Sequence, residues 1–312
     1  MQEYGNGHDT AQLVRAYVAV TDPMWLRRLF AQKAREANFW QPRPSALRQD
    51  RGTPWIFKVR GADRIGGYGF LSYYSVMPSG VAWETFRAAN GVEDYGEMRR
   101  RIAGLRHAGS FDDSVGCVVL SDLALLPEEA YLMAPEDWKL NTVRGQYYDL
   151  AQGEGARVWT QLTAAAPPAV GVSALQTIPG GYGQPTVYLP RLGQGAFRLM
   201  VMDAYGRRCA VTGEKTLPAL DAAHIRPFSE LQSHEVQNGI LMRSDIHRLF
   251  DQGYVTVTPD LRFRVSPQIR DQFHNGVIYY DLHERPVRVP DATDDWPDTS
   301  ALEWHSSKIY RS

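Results

Sequence analysis

Cysteine is scarce in this chain of 312 residues: Cys117 and Cys209 are the only two. They lie far apart and lack the paired spacing of a zinc knuckle, which argues against both structural zinc and a disulfide framework and leaves the thiols to pack in cores. An excess of either charge is lacking too. Lys and Arg number 34 against 35 Asp and Glu, for a net charge of −1. That balance argues against coating nucleic acid by bulk electrostatics, while a local basic groove can hide within a neutral total. No run of eighteen apolar residues occurs, and Met1–Thr10 is polar and carries acids. Neither a membrane span nor a signal peptide is indicated, so a soluble, cytoplasmic protein is expected.

What is present is enough apolar material, 44% of residues, to fill a core in each of two domains. Over residues 12–150, β-like runs (15–21, 55–59, 67–74, 116–120) alternate with helical stretches (23–36, 82–89, 94–102), which predicts an α+β domain on a small, curled sheet. From Thr163 to Gly195 the chain turns rich in Ala, Pro, Gly and Gln; residues 151–196 read as a linker and residues 197–312 as a second domain. Within the latter, Cys209–Thr212 and Pro218–Ile225 are strand-like. Residues 244–251 read as a short helix with Ser244 as N-cap and Gly253 just past its end. A hairpin is expected around Pro259-Asp260, and Trp296, Trp304 and His305 are expected to dock the C-terminal tail on this domain. Arg99, Arg100, Arg101, Arg106 and His107 form one basic cluster, and Arg198, Arg207, Arg208 and Lys215 another.

The chemistry concentrates between Cys209 and Asp251. Two antiparallel strands, from Cys209 and from Leu220, followed by the 244–251 helix would make a ββα unit with His224 at the end of the second strand facing His247. Phosphodiester hydrolysis needs a water deprotonated near neutral pH and a cation on the scissile phosphate. An imidazole supplies the first and a divalent metal the second. Asp221 is a candidate metal ligand beside His247, because strand alternation turns it to the same face as Ala223; Asp251, four residues after His247, competes for that role. Arg226, Arg243 and Arg248 are candidate phosphate contacts.

The strings Cys209-Ala-Val-Thr-Gly213, Leu220-Asp-Ala-Ala-His-Ile-Arg-Pro227, Asn238-Gly-Ile-Leu-Met-Arg-Ser-Asp-Ile-His247 and Leu249-Phe-Asp251 resemble the HNH endonucleases of the ββα-metal fold, especially the bacterial predicted restriction endonucleases. The resemblance implies His224 as general base, Asn238 as brace of the loop that holds it, and His247 as metal ligand. One departure is Ala223, where many HNH proteins place a ligating Asp or His. With few protein ligands, water and phosphate oxygens would complete the shell of a hard cation such as Mg²⁺, with Mn²⁺ or Ni²⁺ as substitutes.

The first domain is aromatic along its strands and loops. Some of these rings are expected to stack on an extruded base, with Asn38 and Gln41 supplying contacts to its edge. The candidate pocket is Asn38, Phe39, Trp40, Gln41, Tyr68, Phe70, Tyr73 and Trp83. The strings Asn38-Phe-Trp-Gln-Pro42, Trp55-Ile-Phe-Lys58, Ile65-Gly-Gly-Tyr-Gly-Phe70 and Val115-Gly-Cys-Val-Val-Leu120 also resemble the PUA superfamily, including EVE and SRA-like base readers. That implies a partly closed β-barrel that binds a modified base such as 5-methylcytosine. The combined expectation is a modification-dependent, type IV-like restriction endonuclease acting on double-stranded DNA as a homodimer. Two alternatives stand beside it: an HNH effector that senses a phosphorothioate or a nucleotide signal, and a DNA-binding protein whose nuclease site has decayed.

Overall fold

The computed structural model describes residues 15–47, 49–106, 113–167, 193–227 and 235–312. The chain divides into two compact units with interleaved connectivity. The first comprises residues up to 74, 88–110 and 116–191; the second comprises 75–87, 111–115 and 192–312.

The first unit begins with β1 (Arg15–Thr21), α1 (Pro23–Ala31), β2 (Glu36–Gln41), β3 (Pro54–Val59) and β4 (Arg64–Pro78). Strand β4 runs on into the second unit, followed there by α2 (Ser79–Phe86). The chain then adds α3 (Tyr95–Leu105), β5 (Ser114–Leu125), the short β6 (Leu132–Met133), β7 (Gly145–Asp149) and α4 (Gly153–Ala165). The main sheet has the order β2-β5-β4-β3-β1-β7, with β6 paired to β4. β1 and β3 are parallel, while β1–β7, β3–β4 and β2–β5 are antiparallel. β2 and β7 end this path, so among the described residues the sheet is open and the closed barrel of a PUA-like domain is not formed.

Each face of the sheet carries its own core, as the alternation of side chains requires. One face packs Ile56, Ile65, Tyr68 and Phe70 against Trp159 and Leu162 of α4. The other packs Trp55, Phe57, Val118 and Leu120 against Trp25 and Leu29 of α1. Each such side chain contributes roughly 1.5–3 kcal/mol by leaving water. Helix α4 thus lies within the stretch read from sequence as linker and is held by its apolar stripe. Helix α1 is shorter than the predicted 23–36: Asp22 caps it by accepting from Met24 and Trp25, it stops at Ala31, and the chain becomes β2 from Glu36.

The second unit is built on α5 (Gln194–Ala204), β8 (Leu220–His224), β9 (Gly239–Arg243) and α6 (Ser244–Asp251). After these come the hairpin β10 (Val255–Val257) and β11 (Phe263–Val265), then α7 (Gln268–Phe273), α8 (Val277–Tyr280) and α9 (Thr299–Lys308). Its N-terminal pieces are tied in by polar contacts: Ser75 donates to Asp203 at 2.7 Å, and Arg207 donates to the Val76 carbonyl at 2.7 Å. The predicted strand at Cys209–Thr212 is a tight turn instead, closed by Cys209 N–H to Glu214 O (2.8 Å) and Gly213 N–H to Cys209 O (2.9 Å). The two strands of the ββα unit are β8 and β9, so His224 ends the first strand, not the second.

Candidate active site

Strands β8 and β9 pair antiparallel from Leu220 opposite Arg243 to His224 opposite Gly239, and α6 follows β9 without a break. The imidazole of His224 lies flat on the ring of Phe197 from α5, with centroids 3.9 Å apart and planes 12° from parallel. Gly239 makes this possible. A Cβ there would sit 2.9 Å from Phe197 Cζ and 2.5 Å from Val201 Cγ2, so α5 approaches the hairpin only because residue 239 has no side chain.

Asn238 fixes the segment just after His224. Its Oδ1 accepts from Arg226 N–H at 2.9 Å, its Nδ2 donates to Arg226 O at 3.0 Å, and its own carbonyl accepts from Ile225 N–H at 2.9 Å. The side chain is buried at 5% exposure. Losing such a pairing leaves dry polar groups unmatched, so the brace is stiff.

His247 projects from α6 between two carboxylates. Its Nδ1 is 3.8 Å from Asp221 and its Nε2 3.3 Å from Asp251. Burial alone would push this imidazole down, but Asp221 and Asp251 outweigh it and hold the pKa up at about 9. Asp221 is correspondingly held down to about 2, chiefly by His247, against the opposing effect of burial and with help from Ser244 and Arg198. Arg198, 3.4 Å from Asp221, also donates to Leu220 O at 3.0 Å. It escapes a reading based on motif spacing because it reaches the site from α5. Its place in the basic cluster ahead of the site was the one available signal.

The three arginines predicted on phosphate differ in their surroundings. Arg243 is held by Asp245 through two bonds of 2.6 and 2.7 Å, and Asp245 also accepts from Tyr279. Arg226 lies over the ring of Trp304 at 5.2 Å, and its Nε is buried with no partner among the described residues. Arg248 is exposed on α6. Ser244 is not the helix cap; its hydroxyl donates instead to Ala219 O at 3.1 Å. Among the described residues no group of three or more His, Cys, Asp or Glu side chains meets the arrangement of a metal centre. A divalent ion that took the His247 imidazole and one carboxylate, Asp221 or Asp251, would have to fill the rest of its shell with water and phosphate oxygens.

Residues 209–258 match the family described as HNH endonuclease. This stretch is an HNH endonuclease domain. HNH endonucleases are in general dependent on a divalent metal. Among solved structures, the modification-dependent TagI restriction endonuclease aligns at 14% identity over 83% of this chain and 62% of that one, with a TM-score of 0.30. The chain therefore spans less than two thirds of that protein, and so loose a likeness bears on neither fold nor activity. No protein of curated function matches the chain.

The first unit holds a separate cavity of about 610 Å³. Its aromatic lining is Tyr17, Trp25, Phe39, Trp40 and Trp55; Gln41 and Asp22 add polar groups, and Arg43, Arg60, Arg101 and Arg144 stand around it. Of the eight predicted base-pocket residues, Phe39, Trp40 and Gln41 line this cavity. Asn38 is wholly buried and bonds to Asn90 at 2.9 Å. Tyr68 and Phe70 face the other core, where they pack edge-on against Trp159. Tyr73 is half-buried on β4 away from the lining, and Trp83 sits on α2 in the second unit. Tyr17 and Trp25 were missed because strand and helix positions of that kind read as ordinary core.

Proposed function

We propose that the chain is a metal-dependent, modification-dependent DNA endonuclease of type IV-like character. In this reading its second unit hydrolyses a phosphodiester and its first unit finds a marked base. The observation that carries the cleavage reading is the arrangement, within the HNH segment, of His224 with Asn238 clamping Arg226 two residues on, the imidazole stacked on Phe197 from α5. His224, as a neutral imidazole, takes the proton of the attacking water. The water oxygen forms the new bond to phosphorus as the bond to the leaving sugar oxygen breaks. Stacking on Phe197 fixes the ring plane, so the accepting nitrogen is oriented before substrate arrives.

A divalent ion, Mg²⁺ first with Mn²⁺ or Ni²⁺ as substitutes, would be held by His247 and Asp221, with Asp251, at the other ring nitrogen, as the competing carboxylate. When bound it supplies positive charge for the scissile phosphate and the departing oxygen. In this reading Arg226 and Arg248 hold neighbouring phosphates, while Arg243 shares its charge with Asp245. The modified-base reading is supported by the aromatic, arginine-ringed cavity of the first unit. Cutting both strands with one such site per chain calls for a homodimer. No helix among the described residues is long and apolar enough to cross a membrane.

The test is digestion of matched phage DNAs (unmodified, methylated, hydroxymethylated, glucosylated and phosphorothioated) with Mg²⁺ or Mn²⁺, by wild type and His224→Ala. Cutting of a modified DNA alone, lost in the variant, is the expected result. Equal cutting of every DNA would remove the modification reading, and no cutting at all would remove the endonuclease reading.

A further inference from the structure

The side chains around the first unit's cavity can donate hydrogen bonds far more readily than accept them. Asp22, the carboxylate of the lining, is already committed: it accepts from Met24 N–H (2.9 Å) and Trp25 N–H (3.1 Å) and pairs with Arg101 at 3.2 Å. The Gln41 carbonyl oxygen accepts from Ser45 at 3.4 Å, which leaves its amide nitrogen to donate. Arg60 and Arg144 are exposed and have no carboxylate partner among the described residues. The indole N–H groups of Trp25 and Trp40 are satisfied by Asn38 O and Asn90 O. That of Trp55 has no acceptor among the described residues, although the residue is wholly buried. Burial raises the pKa of Tyr17, the main cause ahead of the Tyr147 hydroxyl, and keeps its phenol protonated.

Such a lining suits a ligand with an aromatic ring, an anionic group and projecting oxygen acceptors. A volume of about 610 Å³ is that of a site for a whole small molecule, more than a bare pyrimidine ring fills. A methyl substituent would offer these donors nothing to bond, whereas a hydroxymethyl or glucosyl group brings acceptors and bulk together. We propose that this cavity takes one nucleotide unit whose base carries an oxygen-bearing substituent of hydroxymethyl or glucosyl type, with the ring against the aromatic lining and the phosphate at Arg60 and Arg144. This deepens, and rests on, the reading of the first unit as the part that finds the mark. The same chemistry is presented by a nucleotide extruded from DNA and by a free nucleotide; the open, arginine-ringed mouth accommodates either.

The experiment is fluorescence anisotropy of the full chain in EDTA with labelled duplexes of one sequence, whose central cytosine is bare, 5-methylated, 5-hydroxymethylated or glucosylated. Calorimetry with free 5-hydroxymethyl-dCMP runs beside it. Hydroxymethylated or glucosylated duplex is expected to bind at least about tenfold tighter than the bare and methylated ones. Gln41→Ala should shrink that preference, and the double variant Arg60→Ala/Arg144→Ala should weaken all four duplexes. Tight binding of the free nucleotide with no preference among duplexes would support the site and assign its ligand to solution. Preference for the methylated duplex would overturn the proposal, and so would equal binding of all four with no response to the free nucleotide. If the preference holds but Mg²⁺ elicits no cutting, the cavity's assignment survives and the endonuclease reading falls.

Discussion

A benzyl ring lies beneath the imidazole of His224 and a clamped backbone follows it. Replacing it with alanine should remove the proposed proton acceptor. Cleavage is expected to drop by about 10²–10⁴, the usual worth of a positioned proton acceptor, while duplex binding stays within about twofold by the same anisotropy assay. Asn238→Ala should behave differently. It strips two bonds from the Arg226 backbone in a buried spot, so a stability loss of about 1–3 kcal/mol is expected, together with slower cleavage. Chemical denaturation and single-turnover rates on the same preparation separate the two effects. An unchanged denaturation midpoint would show that the clamp carries no structural load.

At the scale of elements, the close seat of α5 on the hairpin hangs on one missing Cβ. Gly239→Ala should force Phe197 and Val201 away and cost about 1–3 kcal/mol, as overpacking does. It should also slow cleavage although it touches no reacting group; full activity would mean that the Phe197 ring can shift freely. Helix α9 gives a pH prediction. His305 is 2% exposed, stacked on Phe250 at 3.6 Å and bonded to Thr256 and the Phe250 carbonyl. Burial is the main cause that pushes it down to about 4 from 6.5, against the Phe250 carbonyl and Asp251, which favour the charged form. Between these values the unfolded chain binds more protons than the folded one, so stability rises with pH through that window. The contribution is complete above pH 6.5 and falls away toward pH 4, by at most roughly 3 kcal/mol at about 1.4 per unit. Denaturation midpoints of wild type and His305→Gln measured across this range should diverge above pH 6 and approach one another near pH 4.

Particular elements explain what was legible in the sequence. Helix α6 was readable in extent, because Ile246 and Phe250 repeat at helical spacing and Gly253, at φ +76°, follows its end, but its cap was not: Ser244 is its first residue and Arg243 precedes it. Cys209–Thr212 misled because Val211 and Thr212 favour strands, whereas the positive φ of Gly213 turns the chain back. The HNH stretch was visible because its motif is local to one hairpin and one helix. The cavity of the first unit was only partly visible, since its lining comes from β1, α1, β2, β3 and α3, and no local pattern brings Tyr17 next to Trp55 at 4.6 Å. Trp83 illustrates the opposite failure: it is close in sequence to the pocket residues yet belongs to the other unit.

For the whole molecule the interleaving of units is decisive. Because residues 75–87 belong with 192–312, fragments 1–167 and 193–312 expressed together are expected to co-elute on gel filtration under native conditions. They should part only in denaturant; separation in buffer would mean that the Ser75, Val76 and Arg207 contacts carry little weight. The long strand β4, which begins in the sheet of one unit and ends among the residues of the other, has a further consequence for how such a protein can be recombined. A nuclease half joined at a single point to a new reader would arrive without the strand end and helix that complete it. On the proposed reading, exchange of specificity would have to alter the cavity residues of β1, α1, β2, β3 and α3 with β4 and α2 retained, and not trade the halves as cassettes.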